Sequence, residues 1–327
     1  MKVLVIGATG FVGKAIVAEL HRRAIDVVAI GGPGFTSSKS ASRDSQITSS
    51  IDVTIPDSVA VLEKMEGVTA VVHAAGLAHQ FGRITESKLF DVNVNGTENI
   101  AKLAVKLKVN HLILISSVLV YGSQRGLNVN TLPVTEDSPC RPGDAYAASK
   151  LAAENIALEI CKLGGIPLTI LRPAPIIGEG SKGNFLRLIK LIAKRRFVWL
   201  GKGQNRKSLV LVDDVAKACA VILQQNRAET SIFNVTGPEM EMREIVDEIS
   251  KHLSRKPPGI QIPAAPLISF LRYIPGGRAM RLLKTIEKWL SCDIYSGEKL
   301  RRQYEFTASP DLRDAIGREV ACYLQTK

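Results

Sequence analysis

Residues 3–6, Val-Leu-Val-Ile, run directly into Gly7-Ala-Thr-Gly10-Phe-Val-Gly13, and a helical stretch, 12–23, follows. No other feature constrains the fold as strongly. A short apolar strand must turn sharply, on glycines that allow close backbone approach, into a helix whose first N–H groups have no partner within the helix. Those free N–H groups, with the positive end of the helix dipole, form a ready site for a pyrophosphate. The plain alternative is a tight strand–helix turn with no ligand. The sequence downstream weighs against it.

Short Val/Ile-rich runs recur at 27–30, 70–73, 111–115 and 168–171, and helix-like stretches occupy 12–23, 86–107 and 146–163. Apolar runs without strict alternation read as strands buried on both faces. Strands alternating with helices imply right-handed β–α–β units. The expected class is α/β, a doubly wound parallel sheet with a smaller, mostly helical C-terminal domain for substrate. Residues 31–50, rich in Gly and Ser, read as a loop after the second strand. From residue 179 the alternation is lost: 184–195 and 240–253 read as helices, 197–200 and 209–212 as short strands, and 257–266, with four prolines, as a rigid connector. A chain of 327 residues has room for two domains. The expected division is 1–178 and 179–327, with part of 213–236 returning to the first.

Charge is unevenly spread. Residues 1–180 hold 17 Lys/Arg and 16 Asp/Glu, whereas 181–327 hold 26 and 15, a net +11. A basic half suits a phosphorylated substrate, an anionic membrane surface or nucleic acid. Aromatic content of 5%, with no basic run interleaved with aromatics, argues against nucleic acid. The segment 267–290 sets Arg272, Arg278, Arg281, Lys284 and Lys288 among Leu, Ile, Phe and Trp. It reads either as a basic amphipathic surface for peripheral membrane contact or as a pair of capping helices, and Pro275-Gly276-Gly277 favours the second. The five cysteines are widely spaced with no C-x-x-C pair, so neither a metal site nor a disulfide set is expected. No signal-peptide layout and no run of about 18 apolar residues occurs, so a cytoplasmic protein is expected.

Tyr146-Ala-Ala-Ser-Lys150 places a phenol and an ammonium at i and i+4, on one helix face. The lysine charge and the helix N-terminus are expected to lower the tyrosine pKa, so that it can pass a proton to or from an alcohol oxygen. The spacing alone is common, and its plain reading is a half-buried tyrosine and a surface lysine. Ser116-Ser117 strengthens it, because the pair ends the 111–115 run and strand ends in open α/β sheets face the ligand crevice. Either serine could hold the reacting oxygen.

Taken in order, Gly7-x-x-Gly10-x-x-Gly13, Asp52-Val53, His73-Ala74-Ala75-Gly76, the 93–97 segment from Asn93 to Thr97, Ser117-x-x-x-Tyr121-Gly122, Tyr146-x-x-x-Lys150 and Arg172-Pro173 resemble the motifs of the extended short-chain dehydrogenase/reductase (NAD-dependent epimerase/dehydratase) family. The resemblance covers essentially the whole chain. It is greatest to UDP-glucose 4-epimerase-like proteins and bacterial UDP-sugar C4 reductases. It implies a Rossmann-type sheet and a Ser117–Tyr146–Lys150 catalytic triad. It further implies a dinucleotide held by Gly7, Thr9, Gly10, Phe11, Val12, Gly13, Asp52, Val53, Ala74, Ala75, Gly76, Asn93, Ser116, Tyr146, Lys150 and Pro173. A homodimer through 86–107 and 146–163 is implied as well.

The chain departs from the family pattern in places. The position after the second strand that commonly holds a carboxylate for the ribose 2′-OH of NAD is Gly31. Lys39 and Arg43, further along the loop, either meet a 2′-phosphate or are ordinary loop charges, so the cofactor is NAD or NADP, with a lean to NADP(H). Val118-Leu119 follow Ser117 where related dehydratases carry an Asp-Glu pair, which argues against water elimination. The resemblance points to Asn184, Trp199, Leu200, Arg206 and Lys207, together with Ser117, as substrate-binding residues. Lys207 stands where Arg is usual, and alternation along a strand would turn Arg206 and Lys207 apart. Core packing is the plain reading of Phe197 and Trp199, and a surface position that of His79. The reading that follows is oxidoreduction at C4 of a UDP-sugar, by a 4-epimerase or 4-keto-sugar reductase. The alternatives are an NADP-dependent dehydrogenase of a hydrophobic alcohol (hydroxysteroid-type) and a non-catalytic dinucleotide-binding protein.

Overall fold

The computed structural model describes residues 1–33, 47–77, 84–122, 132–181, 183–227, 229–274 and 276–326. The N-terminal part runs β1 (Lys2–Ile6), α1 (Phe11–Arg22), β2 (Asp26–Gly31), β3 (Ile47–Ser50), α2 (Pro56–Ala60), β4 (Ala70–His73), α3 (Glu86–Phe90), α4 (Gly96–Lys106), β5 (His111–Ile115), α5 (Ala145–Gly164) and β6 (Leu168–Pro173). These strands are parallel and, with β11 (Ser231–Val235), form one seven-stranded sheet in the order β11-β6-β5-β4-β1-β2-β3.

The sheet is buried on both faces, as its continuous apolar runs require. In β1, Val3 and Val5 enter the core beneath α1, while Leu4 and Ile6 enter the opposite core with Ile100 and Leu103 of α4. Helices α1 and α7 (Val212–Gln225) pack together, and α4 packs with α5. The stretch 86–107 is not one helix. A π turn, Asp91–Asn95, separates α3 from α4, and such bulges favour functional sites.

After β6 the chain forms β7 (Ile176–Ile177), α6 (Asn184–Ala193), β8 (Trp199–Leu200), β9 (Arg206–Ser208) and β10 (Val210–Leu211) before α7 carries it back to β11. The strand–helix rhythm that fades from the sequence at residue 179 therefore resumes at 212. Beyond β11 come β12 (Glu239–Glu241), α8 (Met242–His252), β13 (Gln261–Ile262), α9 (Ala264–Tyr273), α10 (Gly277–Leu290), α11 (Glu298–Tyr304) and α12 (Arg313–Gln325). The proline-rich 257–266 connector contains β13, which pairs with β8. The strand expected at 197–200 is confined to its last two residues. Outside the sheet, α6, α8 and α12 share a core built on Ile189, Ile192, Ile245, Ile249, Ile316 and Val320. Helices α9 and α10 enclose a smaller core of their own. Among the described residues no helix is long and apolar enough to cross a membrane.

Candidate active site

The glycine turn fits tightly between β1 and β4. Gly7 has φ +87°, and a Cβ there would stand 2.5 Å from the Ala75 nitrogen. A Cβ on Gly13 would lie 2.1 Å from the Gly7 carbonyl oxygen, so only glycine lets α1 start this close to the strand. Gly10 donates to that carbonyl (2.9 Å) and occupies the cap position of α1 without a side-chain cap. The backbone N–H groups of Phe11, Val12 and Gly13 form the open first turn, which suits a pyrophosphate. Thr9 Oγ1 accepts from Gly32 N at 3.4 Å and ties the turn to the end of β2. Ala74 N donates to Ile6 O at 2.9 Å.

Asp52 and Val53 brace the neighbouring turn. Asp52 Oδ1 accepts from Thr54 N (2.9 Å) and Thr54 Oγ1 (2.7 Å), and Val53 O accepts from Asn99 Nδ2 (2.9 Å). Among the described residues no carboxylate stands at the end of β2, where Gly31 is buried and nothing lies within 4 Å of a Cβ on Gly32. Lys39, Arg43 and His79 lie outside the described residues.

Ser117, Tyr146 and Lys150 meet beyond the ends of β4 and β5. The Ser117 side chain neighbours the Tyr146 phenol closely enough to lower its pKa, and its Oγ accepts from Leu119 N at 3.2 Å. Asp144 caps α5 by accepting from Ala147 N at 2.9 Å, which fixes where Tyr146 emerges. Lys150 Nζ donates to Ile115 O at 2.9 Å. A Cβ on Gly76 would stand 3.1 Å from both Lys150 Nζ and Asn93 Oδ1, so Gly76 keeps this corner open. Asn93, in the π turn, accepts from Leu77 N (2.8 Å) and donates to Leu77 O (3.1 Å) and Ser149 Oγ (3.0 Å). It thereby fastens the loop after β4 to α5.

The electrostatics differ from the sequence expectation. Burial, reinforced by the Asp144 charge and opposed by the Ser117 side chain, pushes the Tyr146 phenol up to about 12. The Lys150 ammonium donates to the Ile115 carbonyl, and the lowering expected of its charge is not among the causes of the shift. Burial pulls Lys150 down to about 8, with the Glu154 charge opposing.

Ser116 is committed elsewhere. Its hydroxyl donates to the buried Glu154 carboxylate, which Arg172 grips from the other side. Arg172 NH1 also donates to Tyr121 OH (2.8 Å), and Tyr121 OH donates to Asn234 Oδ1 of β11 (2.9 Å). This polar chain runs behind the site, and Pro173 ends β6 beside it. Glu154 had no sequence signal beyond lying one turn after Lys150. His73 is a second residue of this kind. Thr97 Oγ1 donates to Asn93 O (2.6 Å), so the 3.1 Å contact from His73 Nε2 must be the histidine donating. Its Nδ1 is then a buried lone pair without a partner.

The residues expected to bind substrate do not form one cluster. Asn184 is exposed at the start of α6. Trp199 is buried, donates Nε1–H to Pro258 O (2.8 Å), meets Phe197 edge-on at 5.0 Å and lies beneath Arg243. Packing thus accounts for both aromatics, although Trp199 and Leu200 also line an apolar groove with Trp289 and Leu290, which Arg187 and Arg196 border. Arg206 pairs with Glu239. Lys207 Nζ reaches Asp293 Oδ2 (2.5 Å), Lys288 O (3.1 Å) and Ser291 Oγ (3.2 Å), anchoring the end of α10. Sequence alternation turns Arg206 and Lys207 apart, and their partners are indeed separate, Glu239 for one and Asp293 for the other.

Residues 3–236 match the sequence model of the NAD dependent epimerase/dehydratase family. The chain is 31% identical over 268 residues to the N-acetyl-alpha-D-glucosaminyl-diphospho-ditrans,octacis-undecaprenol 4-epimerase of Escherichia coli O157:H7, covering 80% of this chain and 75% of that one. It is 30% identical over 278 residues to a UDP-glucose 4-epimerase of Vibrio cholerae, covering 80% and 78%. The structure of UDP-glucuronic acid 4-epimerase from Bacillus cereus in complex with NAD shares the fold, with TM-score 0.75 at 20% identity over 99% of each chain. With its glycine turn, its Ser–Tyr–Lys cluster and these matches, the chain belongs to the NAD-dependent epimerase/dehydratase family.

Proposed function

We propose that this enzyme carries out NAD(P)-dependent oxidoreduction at C4 of a UDP-sugar, as a 4-epimerase or a 4-keto-sugar reductase. The observation that carries the reading is that Ser117 neighbours the Tyr146 phenol, with Lys150 one turn further along the same helix and held at the end of β5. The UDP-sugar names of the relatives and of several fold neighbours support the substrate class. Residues 1–178 would hold the dinucleotide and 179–327 the sugar nucleotide, with part of 213–236 serving the first.

NAD(P), when bound, supplies the hydride donor or acceptor and, in its oxidised form, a positive ring charge. The chain does the rest. Ser117 holds the C4 oxygen and Tyr146 exchanges its proton. With a phenol pushed up to about 12, Tyr146 is protonated at neutral pH, the state that donates to a keto oxygen. Lys150, beside Gly76 and Asn93, would hold the ribose hydroxyls. Val118 is buried and Leu119 is apolar, so the site has no acid–base pair for elimination at that position. Gly31 stands where a carboxylate for the 2′-OH is common, and we keep NADP(H) in the proposal on that ground.

Mass spectrometry of the dinucleotide and sugar nucleotide that co-purify with the protein tests this. Retained, non-exchanging NAD with interconversion of UDP-glucose and UDP-galactose would identify an epimerase. NADPH oxidation dependent on a UDP-4-keto-sugar would identify a reductase. Tight NADP binding with no affinity for UDP would overturn the sugar-nucleotide reading in favour of a hydrophobic alcohol.

A further inference from the structure

The α9–α10 hairpin has its own core, in which Ile268 and Leu271 pack with Leu283, Ile286 and Leu290. Its inner faces are therefore satisfied. Large side chains nevertheless stand in solvent around its turn: Phe270 is 64% exposed, Tyr273 88% and Met280 55%, with Ile274 beside them. Phe270 and Tyr273 are one helical turn apart in the last turns of α9, and Met280 lies in the first turn of α10, so all gather at the same end of the hairpin. Isolated exposed apolar residues are ordinary, but a cluster of this kind marks an interaction surface.

The charge around the cluster says what it meets. Residues 267–290 hold five Lys/Arg and one acidic residue, Glu287, within a half-chain of net +11. Aromatic tips in a segment with five positive charges and one negative match the anionic headgroups and apolar interior of a bilayer surface. Helix α9 ends at Tyr273 and α10 starts at Gly277, so the segment is a hairpin and not the single continuous helix that would lie flat on a membrane. Helix α10 also contributes Leu282, Ile286, Trp289 and Leu290 to the groove beside Trp199. Its Lys288 lies 3.8 Å from Asp144, two residues ahead of Tyr146.

We propose that the α9–α10 turn, through Phe270, Tyr273, Ile274 and Met280 in a segment of net positive charge, docks this enzyme on an anionic phospholipid bilayer. The inference does not rest on the C4 reading: vesicle binding and sugar-nucleotide turnover are separate measurements, and either can fail alone.

The test is flotation of the full chain with vesicles of phosphatidylglycerol and phosphatidylcholine, against phosphatidylcholine alone. The protein should float with the anionic vesicles, and raised salt should release it. The double variant Phe270→Ser/Tyr273→Ser should bind at least about tenfold more weakly, with unchanged Tm and cofactor affinity, because both side chains are exposed. Absence of flotation, or equal flotation by the variant, overturns the proposal. So does a wild-type dimer that the double substitution dissociates in sedimentation, since that assigns the face to a second copy.

Discussion

Arg172 of β6 and Glu154 of α5 meet fork to fork behind the catalytic cluster, with Nε 3.0 Å from one carboxylate oxygen and NH2 2.6 Å from the other, and both side chains buried. A buried carboxylate is tolerated only while paired. Arg172→Met should therefore destabilise the fold by about 3–5 kcal/mol. Adding Glu154→Gln to that variant should recover part of the loss. Chemical denaturation of the two variants checks both statements.

The two neighbouring serines should separate cleanly. Tyr146→Phe should lower kcat by about 100- to 10,000-fold with KM little changed, since it removes a proton donor. Ser117→Ala should also act on kcat. Ser116→Ala should act chiefly on stability, because its hydroxyl serves Glu154. Steady-state kinetics and melting curves, measured together, decide the assignment.

At the glycine turn, Gly13→Ala forces a methyl group to within 2.1 Å of the Gly7 carbonyl oxygen. The helix must move off the strand, at a cost of about 1–3 kcal/mol, and the first-turn amides move with it. Dinucleotide affinity should fall together with Tm, as calorimetric titration would read.

Acid should unfold the protein through two buried histidines. Burial, with the Lys150 charge adding to it, pulls His73 down to about 3, and burial pulls His111 down to about 4. Both are neutral in the fold, whereas the unfolded chain protonates them near pH 6.5. The unfolded state thus binds more protons below that pH, and stability falls as pH drops from about 6.5 toward 3–4, by several kcal/mol. His73→Asn should flatten this acid limb relative to its own stability at neutral pH. Denaturant midpoints across that window provide the measurement.

The alkaline side belongs to Lys150, held at about 8 by burial. If its charge serves binding or catalysis, kcat/KM should fall as pH rises through about 8, and Lys150→Arg should move that limb beyond the accessible range. A pH profile of both proteins tests it.

What could be read from the sequence was local. The glycine spacing, the i and i+4 placement of Tyr146 and Lys150, and the apolar runs of β1, β4, β5 and β6 each act over a few residues, and each is where it was expected. What escaped depends on distant partners. Glu154 acquires its role only when β6 delivers Arg172, and Lys207 only when the end of α10 delivers Asp293. The direction of the Tyr146 shift turned on burial, which only the packed fold supplies, and Lys150 is held by the carbonyl of Ile115, thirty-five positions earlier. The π turn holding Asn93 leaves no mark in an amphipathic pattern that continues through it.

The return of β11 to the edge of β6 bears on how the chain is born. During translation β6 leaves the ribosome well before its partner, with α6, the short strands and α7 still to come. Until residues 231–235 emerge, β6 offers an unpaired edge and Arg172 waits for the Tyr121–Asn234 link that closes its far side. An open edge of buried-type residues invites pairing with another nascent copy. The arrival of β11 turns β6 from an edge strand into an interior one, so a ribosome stalled before residue 231 would release a chain whose buried-type β6 edge is still bare.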